Sequence, residues 1–192
     1  MKAATRMVLA AALLATGTTT AASSATAEQP ALLSLGVGQF DNVTVDPGFL
    51  YFDINPNKPH NQALDLRMEY RSSLSLLPRF EPYVSIRPWV GVEVTGDGAA
   101  YGAGGVLFDV PVGSFVFTPS FGAGVFASGD GKKMGSALEF RSQLELGYMF
   151  ENHSRFSIAY SHISNADLTE TNPGANSVTL YYHLPTSWLW SP

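Results

Sequence analysis

The sequence has no cysteine, few charges and no long apolar run. The missing cysteine excludes disulfides and thiolate zinc sites. Charged residues make up only 14% of the chain, against about 25% in an ordinary soluble domain. Acidic residues outnumber basic ones 16 to 11, for a net charge of −5, so no basic surface is available for nucleic acid. Beyond residue 20 no uninterrupted apolar run reaches the ~18 residues that a membrane-spanning helix needs. Yet the chain is 45% hydrophobic and 12% aromatic, too apolar to be disordered. Two classes remain: a soluble β-sandwich, or a β-barrel whose outside faces lipid.

Residues 1–27 read as a secretory signal. Lys2 and Arg6 supply the charged start, Val8 to Ala15 the short apolar stretch, and Ala25-Thr26-Ala27 the small residues before a cut at Glu28. The expected mature domain is 28–192, one unit without internal repeats. Export of a chain with this composition points to a bacterial envelope.

Eight segments of strand length follow, at about 31–40, 64–71, 86–95, 99–110, 114–127, 139–150, 154–164 and 177–184. Three alternate cleanly. Leu64, Leu66, Met68 and Tyr70 oppose Asp65, Arg67, Glu69 and Arg71. Phe140, Leu144, Leu146, Tyr148 and Phe150 oppose Glu139, Arg141, Gln143 and Glu145. Val178, Leu180, Tyr182 and Leu184 oppose Ser177, Thr179, Tyr181 and His183. A sandwich would turn the charged face outward, and a barrel would turn it inward. Aromatics at strand ends fit the girdles of a membrane barrel. Opposite charges two apart on one face fit a packed polar lumen. The expected fold is therefore all-β, an eight-stranded antiparallel up-and-down transmembrane β-barrel. Val110-Pro111-Val112-Gly113 and Glu151-Asn152-His153 are expected as short periplasmic turns. The stretches 41–60, 128–137 and 165–176 are expected as long outer loops. The C-terminal Trp188-Leu189-Trp190 fits either an interfacial anchor or an extension past the last strand.

In the segment Phe156-Ser157-Ile158-Ala159-Tyr160-Ser161-His162-Ile163-Ser164-Asn165, parity puts His162 and Ser164 on the same side as Phe156, Ile158 and Tyr160. Two polar residues thus continue an apolar face at the outer end of a strand. A serine two residues from a histidine can reach its ring, the minimum for an activated nucleophile. Asn176 shares the outward parity of Val178 and Leu180, and hairpin pairing brings it near. The plainer alternative is a strand that turns polar where it leaves the bilayer. The four histidines, His60, His153, His162 and His183, form no ligand-spaced cluster, so neither a metal nor a cofactor is expected.

His162-Ile163-Ser164-Asn165-Ala166, then Asn172-Pro173-Gly174 and a final aromatic strand, resemble the lipid A 3-O-deacylases of PagL type. Gly135 to Phe140 and Leu144 to Tyr148 are similar to that family's sixth strand. The resemblance is specific over 135–184. It implies an eight-stranded barrel in the bacterial outer membrane. That barrel would act on lipid A of lipopolysaccharide, with its site at the outer leaflet, and hydrolyse the acyl ester at the 3-position. It implies Ser164 as nucleophile, His162 as general base and Asn165 as part of the oxyanion hole. The family's third member is a glutamate at the start of the last strand, where this chain has Asn176. The supporting role for His162 stays open between Asn176 itself and a loop acid, Glu170 or Asp167. The rival from another class is a non-catalytic small outer-membrane barrel with a structural or surface-interaction role.

Overall fold

A computed structural model describes residues 29–41, 43–46, 49–52, 63–81 and 83–189. The expected signal segment 1–27 and Trp190 lie outside them. Ten strands occur: β1 (Leu32–Phe40), β2 (Val43–Asp46), β3 (Phe49–Phe52), β4 (Ala63–Arg71), β5 (Ser85–Thr95), β6 (Ala100–Val112), β7 (Phe115–Ala127), β8 (Leu138–Met149), β9 (Arg155–Ser164) and β10 (Ala175–Pro185). Eight of them close into a barrel in the order β1-β10-β9-β8-β7-β6-β5-β4, while β2 and β3 pair only with each other. Every barrel pairing is antiparallel, and closure comes from Leu32–Phe40 registering along Ala63–Arg71. All eight expected segments are barrel strands.

The alternation sorts as a barrel requires and a sandwich forbids. In β4, Asp65, Arg67, Glu69 and Arg71 are at most 3% exposed, whereas Leu64, Leu66, Met68 and Tyr70 are 46–56% exposed. β8 and β10 divide in the same way. Burying a charge is costly unless it is paired, and here most of the charges pair, several of them across the lumen. Arg71 reaches Glu145 at 2.7 Å and Glu69 at 3.0 Å, and Arg141 reaches Glu69 at 2.6 Å. β4 and β8 stand on opposite sides of the eight-strand ring, so these bridges span it. Arg87 and Arg155 converge on Asp109 nearer one rim. Bulky lumen residues sit against glycines: a Cβ at Gly122 would meet the Trp89 ring at 2.5 Å, and one at Gly36 the Tyr181 ring at 2.7 Å.

One rim carries the start of β1, the end of β10 and the connections β4–β5, β6–β7 and β8–β9. The other carries the end of β1, the start of β4 and the connections 96–99, 128–137 and 165–174. Two connections depart from the expectation of short turns below and long loops above. The 72–84 connection on the terminal rim is long and holds a 3₁₀ turn at Pro78–Phe80, and the loop-rim turn after Thr95 is tight. The expected loop 41–60 contains the β2–β3 ribbon. Under the loop rim the lumen changes character: Phe40, Tyr101, Phe126, Ile163 and Ala175 form an apolar plug, with Met134 of the 128–137 loop inserted among them. At the opposite rim, Thr186–Trp188 forms a 3₁₀ turn beyond β10, with Trp188 and Leu189 exposed.

Candidate active site

β9 leads to the site. Its outward face begins with exposed Phe156 and Ile158 and continues through half-buried Tyr160, His162 and Ser164 to the loop rim. The inward face is Arg155, Ser157, Ala159, Ser161 and Ile163, all buried. Strand parity therefore holds His162 and Ser164 outside, as expected. Their Cα atoms lie on the order of 6.5 Å apart along the strand. Among the described residues no hydrogen bond joins the two side chains.

Register supplies the third group. Asn176 of β10 lies directly across from His162, and its Oδ1 accepts a hydrogen bond from His162 Nδ1 at 2.7 Å. The same oxygen accepts the Tyr160 hydroxyl at 2.8 Å. A carbonyl oxygen cannot donate, so Nδ1 carries a proton, and in the neutral ring Nε2 is the nitrogen with the lone pair. Of the three candidates for orienting His162, the structure brings only Asn176 to the ring. Asp167 instead accepts from Asn172 Nδ2 at 2.8 Å, and Glu170 is exposed on the loop.

Asn165 is not brought to Ser164. It is fully buried on the inward side, one residue past the face that Ser164 shares. Its amide donates to Thr171 O (2.8 Å), Thr169 Oγ1 (2.9 Å) and Met134 O (3.3 Å), and its backbone N–H donates to Asn172 Oδ1 (3.1 Å). Both kinds of donor are committed to the loops.

Three nearby residues take places at the site that the sequence pattern does not assign them. For Tyr160, parity and spacing two residues before His162 are the available signal. Ser142 of β8 registers directly opposite His162 on the other side and is exposed. Gly174 packs on the ring, for a Cβ there would stand 2.9 Å from His162 Cε1. Its φ of +59° also favours glycine. The row Ser142–His162–Asn176 thus runs across three strands, with Ser164 above it toward the rim.

Below that row the outer face is apolar. Leu144, Tyr160 and Val178 register side by side, then Leu146, Ile158 and Leu180. Leu144, Leu146, Ile158, Tyr160 and Val178 line, with Phe117, a groove of about 250 Å³. It starts one strand repeat below His162, about 6.5 Å away, and runs away from the loop rim.

A family model described as "Lipid A 3-O-deacylase (PagL)" matches residues 88–185, the stretch that holds every residue of this site. "Lipid A deacylase PagL" of Bordetella bronchiseptica is 39% identical over 70 residues; the match covers 35% of this chain and 39% of that relative. This chain thus aligns with well under half the length of that relative. A solved structure described as "Crystal structure of the outer membrane enzyme PagL" superposes with a TM-score of 0.55 at 20% identity, covering 80% of this chain and 99% of that one. At that identity the likeness is one of fold.

Proposed function

Because the chain belongs to the lipid A 3-O-deacylase family, we propose that it is an outer-membrane esterase that removes the 3-O-linked acyl chain from lipid A by a serine–histidine mechanism, its loop rim at the outer leaflet. The observation that carries this reading is the His162 Nδ1–Asn176 Oδ1 bond. It leaves Nε2 as a base on the face that Ser164 shares.

Ser164 Oγ attacks the ester carbonyl while His162 Nε2 takes its proton. The tetrahedral intermediate collapses, the sugar hydroxyl leaves with that proton, and the acyl group stays on Ser164. Water, deprotonated by His162, then releases the fatty acid. Asn176 orients the ring but adds no negative charge to stabilise imidazolium; in a serine protease, replacing the acid by its amide costs about 10⁴ in rate. The reading is therefore of a slow enzyme. The acyl chain lies in the groove below the polar row, and the substrate arrives sideways through the leaflet without entering the barrel.

One observation favours a second reading of the nucleophile, since Ser142 is nearer to His162 in register than Ser164 is. Mass spectrometry of lipid A from cells expressing wild type, Ser164→Ala and Ser142→Ala decides. We expect wild type and Ser142→Ala to remove one hydroxyacyl group and Ser164→Ala to remove none. Loss only in Ser142→Ala moves the nucleophile. Intact lipid A in all three strains, with folded barrels present, leaves the non-catalytic barrel.

A further inference from the structure

Asn165 follows the proposed nucleophile yet points the other way, and its hydrogen bonds describe a different task. Its amide joins two loops: Met134 O belongs to the 128–137 connection, and Thr169 Oγ1 and Thr171 O belong to the 165–174 connection. Thr169 Oγ1 lies a further 3.3 Å from Gly135 O, across the same seam. The seam is tight, for a Cβ at Gly135 would stand 1.9 Å from Thr171 O, and φ there is +89°. The first loop is itself fixed, because Met134 is buried in the lumen plug.

The second loop needs such support. Ala166 and Asp167, directly after Asn165, hold left-handed backbone at φ +53° and +60°. Non-glycine residues persist there only when their surroundings over-determine them. Three bonds do so: Leu168 N to Asn165 O, Asn165 N to Asn172 Oδ1 and Asn172 Nδ2 to Asp167 Oδ1. The loop then returns through Pro173 to Gly174, which lies on the edge of the His162 ring.

We propose that Asn165 is a positioning residue: its buried amide pins the 165–174 loop to the plug-anchored 128–137 loop and so holds Gly174 against His162. This rests on the proposed hydrolytic reading and replaces an oxyanion role for Asn165 with an indirect one. Displacing groups by about 1 Å can cost on the order of 10²-fold in rate, so a slack loop is felt at the serine.

The test breaks the seam from both sides. Asn165→Ala removes the amide. Gly135→Ala drives a methyl into Thr171 from the other loop. Each variant and the double are refolded in detergent micelles, with the folded fraction checked by circular dichroism. Three quantities are read: kcat and KM on lipid A, amide hydrogen exchange at residues 166–175, and the ¹⁵N signature of the His162 ring. We expect each single variant to lose about 10- to 100-fold in kcat, with faster loop exchange and an altered His162 signal. The double should be no more than about twofold worse than the weaker single, as for two cuts in one connection.

The proposal is overturned if Asn165→Ala slows hydrolysis with loop exchange unchanged and Gly135→Ala silent, the pattern of a direct oxyanion donor. Multiplying effects in the double also overturn it. Should the wild type release no fatty acid, the hydrolytic reading fails. Exchange and the His162 signal then still decide the clamp, since neither needs turnover.

Discussion

The molecule holds two serine–histidine constellations, one on each side of the same wall. Inside, His183 Nε2 is 2.8 Å from Ser157 Oγ and 3.1 Å from Glu145 Oε1, and Nδ1 is 2.7 Å from Ser34 Oγ. Outside, His162 has Asn176 on Nδ1, Ser164 two residues along and no carboxylate. Judged by completeness alone the inner set is the better triad, with an acid and a bonded serine. It is also sealed, because Ser34, Glu145, Ser157 and His183 are at most 1% exposed, and the ring of Tyr181 stacks on His183. The outer set is less complete and lies half-buried on the barrel's outer face. Hydrogen-bond completeness is what a buried polar group needs in order to be tolerated; catalysis needs a substrate to reach the atoms. The inner set answers the first demand and the outer set the second.

That contrast can be broken or sharpened by three further substitutions. The largest effect is expected at Glu145→Ala. It strips Arg71 of its 2.7 Å partner and His183 of its acid, and breaking a buried pair costs about 3–5 kcal/mol. Urea unfolding in lipid vesicles reads this as a lower midpoint, while hydrolysis per folded molecule stays at the wild-type rate. A Glu145→Ala protein of normal stability and lost turnover would exchange the roles assigned to the two sets.

Asn176→Asp comes next. It keeps the position of the oxygen bonded to His162 and adds the missing charge. Because the amide-for-acid exchange costs up to about 10⁴ elsewhere, we expect at least ~10-fold faster fatty-acid release from lipid A in a timed assay. An unchanged rate would mean that the ring's protonation does not limit the reaction. The smallest effect is expected at Tyr160→Phe, which deletes the second donor on Asn176 Oδ1. A net hydrogen bond is worth about 1 kcal/mol, so the same assay should show roughly a fivefold loss with folding unchanged.

Much of this architecture was legible in the residues because the two faces of each strand meet different surroundings. In 64–71 the charge alternates with every step, and parity alone places Asp65 inside and Leu64 outside. The same parity put His162, Ser164 and Asn176 outward before any contact was known. The glycine-rich β6 and β7 were harder to bound, since a glycine has no side chain to declare a face. Parity also has a limit of kind. It gives the side a residue faces, but not its partner across the sheet. Ser142 opposite His162 is a fact of register between β8 and β9, set by the turn at 150–154. Asn165 was read from its neighbour Ser164, yet its bonds are made to Met134 on a loop some thirty residues earlier. Tyr160 carried both an apolar ring and a polar tip, and only the ring was counted. The long 72–84 connection and the tight turn after Thr95 fall on the rims that chain order dictates, but their lengths run against the rule of short turns on one rim and long loops on the other.

The charge bridges between β4 and β8 have a consequence at the scale of the cell. Arg71–Glu145 and Arg141–Glu69 cross the lumen at its middle, with the Phe40–Phe126 layer above and the Asp109 cluster below. A hydrated ion would have to displace the apolar layer and then pull apart two tiers of paired guanidinium groups to pass. In a planar bilayer under voltage the protein should therefore carry no conductance steps. An outer membrane could hold many copies without becoming leaky to salts or antibiotics, so the abundance of such a barrel is uncoupled from the osmotic security of its host.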